Sequence, residues 1–423
     1  MNQLAIFGGQ PLITGEWPKW PISGEREKEL LNEVLSGDIW GGTGMGPKIR
    51  ELNEKFAQYC ETKYGAAVVN GTVSIELILK AWGVGEGDEV IVPAATFMAT
   101  SIAVHNVGAT VVYVDIEHDT LNIDPKKFES AITGKTKAVI PVHIGGHPCD
   151  MDKINKIAKK HNIKVLEDAA QAHGAIYKGR KVGSLGDASS FSFQQSKNLQ
   201  SGEGGIVLSD DKELIDTIHF SLGKFGRGIR ENYSGHIHYR LGGNSCYTEI
   251  QAAIALAQLE RLEEQTQKRA ENAQKLYALL EGIKGIETIN WQPYCDRHGH
   301  HLFLIRFKSE EFENVKRGQF LAAINKEGVL TSSFYPMALY NQPLYKTEKN
   351  ISMKYEPCPV AEKACNEVIF IEQNLLLADE SKMEQIAQAF RKVRDNASKL
   401  HELDIDESQF IGSSVLKKAK KNN

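Results

Sequence analysis

Cysteine is scarce in this 423-residue chain, and none of its six cysteines lies in a Cys-x-x-Cys pair. Scattered thiols in a chain of this length are typical of a protein without a disulfide framework. The sequence also lacks an apolar run of membrane-spanning length, and its first residues have neither the basic nor the apolar region of a signal peptide. These absences predict a cytoplasmic protein with no membrane partner.

The sequence has little excess charge of either sign. Its formal net charge is −4, so no basic field is available to attract nucleic acid, and we expect no nucleic-acid partner. The exception is the terminal "VLKKAKKNN", which we interpret as the end of a flexible basic tail. The composition, with 41% hydrophobic and 25% charged residues, is that of a soluble globular protein.

Several binding signatures are missing. No strand-like segment is followed by Gly-x-Gly-x-x-Gly, which disfavours a nicotinamide oxidoreductase on a dinucleotide-binding sheet. The segment "TGKTK" (133–137) is not a P-loop, because Glu129 stands where the first glycine is required. His143 and His147 are separated by two glycines rather than by a helix, and "RHGHH" (297–301) has no cysteine or carboxylate at ligand spacing. We therefore predict no metal site.

What is present is an alternation of short β-branched runs with helical periods from residue 66 to residue 222. This pattern predicts an α/β fold, a mostly parallel central sheet with helices on both faces. An amphipathic pattern over residues 248–282 predicts a long connecting helix that leads to a smaller α+β C-terminal domain. The predicted division is an N-terminal arm (1–22), a large domain (23–255), a small domain (256–400) and the flexible basic tail (401–423).

Candidate ligand contacts follow the predicted strands, where open α/β sheets bind their ligands. Gly71 and Thr72 lie at a strand end that opens a helix, which is a ready site for a phosphate. The alternative is a simple helix N-cap. Phe97 follows the next strand, where a helix begins, and its ring is suited to stacking on a planar ligand. The alternative for Phe97 is a place in the core.

Asp168 follows the apolar run "IKVLE", and Gln171 comes three residues later, one helical turn away. A carboxylate at a buried strand end needs a partner. A protonated ring nitrogen would be such a partner, with Gln171 beside a neighbouring ring oxygen. A helix N-cap by Asp168 is the alternative.

Lys197 stands in "SFQQSKNLQSGEGGIVLS" (192–209), a glycine-rich turn between two strand-like segments. A desolvated lysine loses part of its preference for the ammonium form and becomes a nucleophile that forms a Schiff base with pyridoxal phosphate. One ligand fits all the candidates: its phosphate on Gly71, Thr72 and Ser192, its ring on Phe97, its ring nitrogen on Asp168 and its aldehyde on Lys197. The sequence therefore predicts pyridoxal 5′-phosphate as cofactor.

With "NGTVSIEL", "EDAAQAHGA", "SFQQSKNLQSGEGG" and "GGNSCYTEIQAA", the chain resembles the fold-type I, pyridoxal-phosphate-dependent sugar aminotransferases, over about residues 8–395. The resemblance implies that Lys197 carries the cofactor and that Asp168 pairs with its pyridine nitrogen. It also implies that Gln171 lies by the ring oxygen. Asn244 would reach the phosphate of the partner subunit's cofactor, so the resemblance implies a homodimer with shared active sites.

The segment around Lys197 is most similar to the L-glutamine:scyllo-inosose aminotransferases of aminocyclitol antibiotic biosynthesis. We therefore expect a transaminase that moves an amino group from L-glutamine or L-glutamate to a keto-cyclitol, with Lys197 and Asp168 as catalytic residues. Nucleotide-keto-sugar aminotransferases more often have a proline where Ser196 stands. They remain an alternative, as do a lyase similar to 3-amino-5-hydroxybenzoate synthase and a non-catalytic binding protein. Lys197 argues against a related dehydratase, which typically has a histidine in its place. In "GGNSC", Gly243, Ser245 and Cys246 replace two aromatic residues and an arginine of the family pattern.

Overall fold

The computed structural model describes residues 3–41, 45–228, 237–289 and 291–412. The helices of these ranges are α1 (Glu25–Leu35), α2 (Pro47–Tyr59), α3 (Gly71–Ala81), α4 (Ala99–Asn106), α5 (Pro125–Ser130), α6 (Met151–His161), α7 (Lys212–Asp216), α8 (Glu249–Leu280), α9 (Arg317–Lys326), α10 (Leu344–Thr347), α11 (Pro359–Glu367) and α12 (Glu380–Asp395). The strands are β1 (Tyr64–Val68), β2 (Glu89–Pro93), β3 (Thr110–Val114), β4 (Thr136–Val139), β5 (Lys164–Asp168), β6 (Ile176–Tyr177), β7 (Arg180–Lys181), β8 (Ala188–Ser192), β9 (Gly205–Ser209), β10 (Ile286–Thr288), β11 (Cys295–Arg297), β12 (Leu302–Phe307), β13 (Thr331–Ser333), β14 (Met353–Tyr355) and β15 (Val368–Glu372).

The central sheet has the strand order β1-β9-β8-β5-β4-β2-β3-β14. Strand β9 is antiparallel to both of its neighbours, and the other pairs are parallel. The α/β fold with a mostly parallel sheet is therefore confirmed. The expectation that the parallel alternation continues through residues 205–209 is wrong, because the loop of residues 193–204 rather than a helix joins β8 to the antiparallel β9.

Helices cover both faces of this sheet. Successive residues of β2 point to opposite faces, so that Val90 and Val92 belong to one apolar cluster with α3 and α4. Ile91 belongs to the cluster on the other face, with α2, α6 and the first half of α8. Because helices cover both faces, strands such as β2 and β8 are buried at every position.

A second, antiparallel sheet has the order β10-β12-β15-β13 and packs against α9, α12 and the second half of α8. The predicted long helix is α8, whose 32 residues join the two sheets. Its start is set by a capping box, in which Thr248 accepts from the Gln251 N–H and the Gln251 side chain accepts from the Thr248 N–H. None of the helices in the described ranges combines the length and the apolar character that a bilayer span requires.

Three segments pack against a different part of the protein from the domain to which the sequence analysis assigned them. Leu4 and Ile13 of the predicted arm are buried in the core of the second sheet. Strand β14, from the predicted small domain, extends the edge of the central sheet beside β3. Residues 403–412 of the predicted flexible tail pack back onto the second sheet, whereas residues 413–423 lie outside the described residues. Pairings between distant segments of this kind leave no local sequence signal.

Candidate active site

A cavity of about 620 Å³ opens at the carboxyl ends of the parallel strands of the central sheet. Strands β1, β2, β5 and β8 all end at this edge, so the residues that follow them meet there although they are far apart in sequence. The cavity is lined by seven of the eight predicted cofactor contacts, namely Gly71, Thr72, Phe97, Asp168, Gln171, Ser192 and Lys197.

One end of the cavity is formed by the start of α3. Asn70 is the N-cap, and its Oδ1 accepts a hydrogen bond from the Val73 N–H at 2.9 Å. Gly71 and Thr72 are therefore the first two residues of the helix rather than its cap, and their contact with a phosphate stays a prediction. A Cβ atom on Gly71 would stand 2.9 Å from the Cβ of Ser192, so glycine is needed for this close approach. The helix N-terminus and the Ser192 hydroxyl together form a cradle suited to an anion.

Asp168 is the last residue of β5, and it is buried. Its Oδ2 accepts from the Thr100 hydroxyl at 2.8 Å, and its Oδ1 accepts from the Ala170 N–H at 3.2 Å. Burial raises the pKa of this carboxyl, while the two hydrogen bonds and the charge of Lys197 act in the opposite direction. These contacts fix the orientation of the carboxylate at the edge of the cavity.

The helix expected after Asp168 does not form, and Gln171 lies in a turn. The Asp168 carboxylate takes the Ala170 N–H and so competes with helical hydrogen bonding. Gln171 is nevertheless held firmly. Its Oε1 accepts from the Gly145 N–H at 2.8 Å, and its Nε2 donates to the Tyr335 hydroxyl at 3.1 Å.

Lys197 lies in the hairpin between β8 and β9. The loop is held by hydrogen bonds from the Lys197 N–H to the Gln194 carbonyl and from the Trp20 Nε1 to the Gln195 carbonyl, both at 2.8 Å. The Lys197 ammonium makes no hydrogen bond or ion pair with another described residue. Burial lowers its pKa to about 8, although the charge of Asp168 acts to raise it. A substantial share of Lys197 is therefore the neutral amine near pH 8.

Phe97 is not a core residue, contrary to the alternative considered for it. It is 62% exposed in the chain and lines the cavity two residues before α4 begins. An exposed aromatic ring at a cavity wall is available for stacking on a planar ligand.

Two further lining residues come from the far half of the chain, and only one of them, His301, lies in a segment that the sequence singled out. Tyr335 follows β13 and reaches Gln171, and His301 precedes β12. Burial keeps the pKa of His301 well below its ordinary value, so this ring is neutral. His301 is the last residue of "RHGHH", the segment considered above as a metal site. Two other histidines of that segment, His298 and His300, stack on each other, with ring centroids 3.9 Å apart.

Asn244 is the one predicted contact that lies away from the cavity. It is exposed, and its Oδ1 accepts from the Cys246 N–H at 3.3 Å. Residues 229–236, which precede this loop, lie outside the described residues. A role for Asn244 in the site of a second subunit stays a prediction.

Residues 21–391 match the DegT/DnrJ/EryC1/StrS aminotransferase family. This chain belongs to that family. The match covers most of the chain and confirms the resemblance that the motifs predicted. The chain is accordingly a transaminase, and the members of its family depend on pyridoxal phosphate.

Curated relatives cover nearly the whole chain. It is 35% identical over 420 residues to the L-glutamine:2-deoxy-scyllo-inosose aminotransferase of Micromonospora echinospora, covering 95% of this chain and 100% of that protein. It is 37% identical over 371 residues to the dTDP-3-amino-3,6-dideoxy-alpha-D-galactopyranose transaminase of Aneurinibacillus thermoaerophilus, covering 86% and 94%. The chain is thus similar both to a relative named for a free cyclitol and to a relative named for a nucleotide-linked sugar.

Solved structures agree with the assignment of the fold. The crystal structure of 3-amino-5-hydroxybenzoic acid synthase superposes with a TM-score of 0.83 at 31% identity, covering 91% of this chain and 99% of that one. That of DesV from S. venezuelae, in complex with a ketimine intermediate, gives a TM-score of 0.78 at 32% identity, covering 88% and 94%.

Proposed function

We propose that this transaminase uses pyridoxal 5′-phosphate to move an amino group from L-glutamine to the ketone of a cyclitol such as scyllo-inosose. The observation that supports this most directly is the geometry around Lys197. A half-buried lysine without a partner among the described residues shares a cavity with a buried carboxylate and a helix N-terminus. The names of several relatives support the donor and the acceptor.

The residues fit the cofactor. Gly71 and Ser192 are packed too closely for a Cβ atom on residue 71. The N–H groups at the start of α3 are available to bind a phosphate. Asp168 is an acceptor-only group whose burial requires a cationic or hydrogen-bonding partner, which a protonated pyridine nitrogen supplies. Phe97 offers its exposed ring to the pyridine face.

The cofactor, when bound, supplies an aldehyde for attachment to an amine and a ring that withdraws electrons from the reacting carbon. Lys197 supplies the proton chemistry. Because burial lowers its pKa to about 8, its Nζ takes a proton from the donor Cα and returns one to the acceptor carbon near neutral pH. Asp168, whose carboxylate is oriented by Thr100 and Ala170, would hold the ring nitrogen of the cofactor in its protonated form.

The charges of the cavity favour a neutral acceptor. Lys197 and the neutral His301 are the basic side chains of the lining that the structure describes, whereas Asp168 and Glu203 are both acidic. Cys246 also stands where the family pattern has an arginine. A nucleotide-linked sugar would bring two phosphates, which need cations. A polyhydroxylated ring needs none.

We further propose that the protein works as a cytoplasmic homodimer with shared sites. The exposed position of Asn244, away from the cavity of its own chain, supports a contact with the other subunit. Sedimentation equilibrium tests this assembly, for which a monomer would be the contrary result.

The test of the reaction is an assay of amino transfer with the cofactor-loaded protein, L-glutamine and a choice of acceptors. We expect scyllo-inosose to be aminated and a dTDP-linked keto-sugar to be a poor acceptor. Protein carrying Lys197→Ala provides the control for uncatalysed transfer. Transfer to the dTDP-linked sugar alone would replace the proposed acceptor by the nucleotide-linked class, and release of an aromatic product would indicate the lyase.

A further inference from the structure

The chain that follows the family match returns to the active-site cavity. The match ends at residue 391, and α12 ends at Asp395. The C-terminal segment, residues 403–412, then runs across α9 to the edge of the second sheet. There Ile411 forms a parallel bridge with Ser333, at the end of β13, and both Ile411 and Gly412 line the cavity.

Specific contacts hold the C-terminal segment along its length. The Gln319 Nε2 donates to the Leu403 carbonyl at 2.9 Å, and Arg317 forms an ion pair with Glu407 at 2.5 Å. The Ser333 hydroxyl donates to the Phe410 carbonyl at 3.3 Å. The position of Ile411 at the cavity is therefore built into the fold.

The wall to which Ile411 belongs is apolar. The lining also contains Phe334, which follows the Ser333 that pairs with Ile411, and Phe370, which pairs with Ser332 in the same sheet. Ile411 is 43% exposed in the chain, so this lining residue of the cavity has apolar surface that no other part of the chain covers. The ring carbons of a cyclitol carry C–H bonds on both faces, and such a face packs well against an aliphatic side chain.

We propose that Ile411 is a specificity-determining residue, which limits the width available to the ring of the amino acceptor. This inference rests on the proposed transaminase function. The linear chain of L-glutamine is narrower than a substituted six-membered ring, so the wall discriminates against oversized rings far more than against the donor.

The test compares Ile411→Trp with Ile411→Ala and with Gln409→Ala. Gln409 is an exposed residue of the same segment whose side chain does not line the cavity. We expect Ile411→Trp to raise KM for the ring acceptor about tenfold or more while KM for L-glutamine changes less than about twofold. Ile411→Ala should admit a bulkier ring acceptor, and Gln409→Ala should match the unsubstituted enzyme.

Binding of myo-inositol, a ring without a ketone, gives a readout that needs no turnover. Calorimetry should show weaker binding to the cofactor-loaded Ile411→Trp protein, with an unchanged thermal unfolding midpoint. Equal changes in both KM values, or none in either, would overturn the inference. If the proposed acceptor is wrong, the unsubstituted enzyme will not aminate scyllo-inosose. The same variants would then be compared with the ring compound that the unsubstituted enzyme does aminate.

Discussion

At the scale of single residues, the proposed chemistry depends on the unusual surroundings of Lys197. Most lysines of the described chain are exposed or pair with carboxylates, as Lys80 does with Glu76. Lys197 instead opens into a cavity, and Asp168 shares that cavity without forming an ion pair with it. Both groups are therefore available to a ligand bound in that cavity.

Replacing Lys197 by alanine should reduce amino transfer by at least about 10³-fold, because both attachment of the cofactor and proton transfer are lost. The thermal unfolding midpoint should stay close to that of the unsubstituted protein. Lys63→Ala, at a side chain that is 68% exposed, is the matched control and should leave the rate unchanged. A Lys197→Ala protein with a tenth of normal activity would show that another group does this work.

The pKa of Lys197 predicts how the unloaded protein takes up its cofactor. Because the neutral amine attacks the aldehyde, the rate of loading should rise with pH and level off above about 8. Stopped-flow absorbance after mixing with pyridoxal phosphate measures this rate. A rate that still rises steeply toward pH 10 would mean that the lysine keeps its ordinary pKa.

At the scale of elements, the start of α3 and the end of β8 are packed too closely for a larger residue. Gly71→Ala should push α3 away from Ser192, which we expect to weaken phosphate binding and to lower stability by about 1–3 kcal/mol. The affinity for pyridoxal phosphate and the urea midpoint measure the two effects. Gly134→Ala, where no atom lies within 4 Å of the new Cβ, is the control. Equal affinities for the two variants would argue against a phosphate at this helix.

Local patterns predicted the elements that local forces determine. Helix α8 was recognised because its amphipathic pattern is contained in one stretch of sequence. The places of Gly71, Asp168 and Lys197 followed from strand ends meeting at one edge of the sheet. Tyr335 and Ile411 were missed, because they reach the cavity through packing of the second sheet against the first, which no short segment encodes.

At the scale of the whole molecule, neutral histidines in the interior connect stability with pH. Burial lowers the pKa of His105 and His147 to about 4 and that of His173 and His300 to about 3. In the unfolded chain a histidine takes up its proton near pH 6.5, so between pH 6.5 and 4 the unfolded state binds more protons than the folded state. Acid therefore favours unfolding in this range.

The free energy of unfolding should fall by up to about 1.4 kcal/mol per buried histidine for each pH unit below 6.5. Urea midpoints at pH 7, 6 and 5 measure this slope. His300→Phe should reduce it, since the ring lies against His298, Trp291 and Phe303. His118→Asn, at a side chain that is 52% exposed, should not. The same slope in both variants would contradict this explanation.

The measurement that tests the central claim most directly is the site of covalent attachment of the cofactor. The protein is incubated with pyridoxal phosphate, reduced with borohydride and digested, and its peptides are weighed by mass spectrometry. Our account predicts the mass of one reduced pyridoxyl phosphate on the peptide containing Lys197, and no tag at that peptide after Lys197→Arg. A tag on other lysines with none on Lys197, or no tag at all, would contradict it.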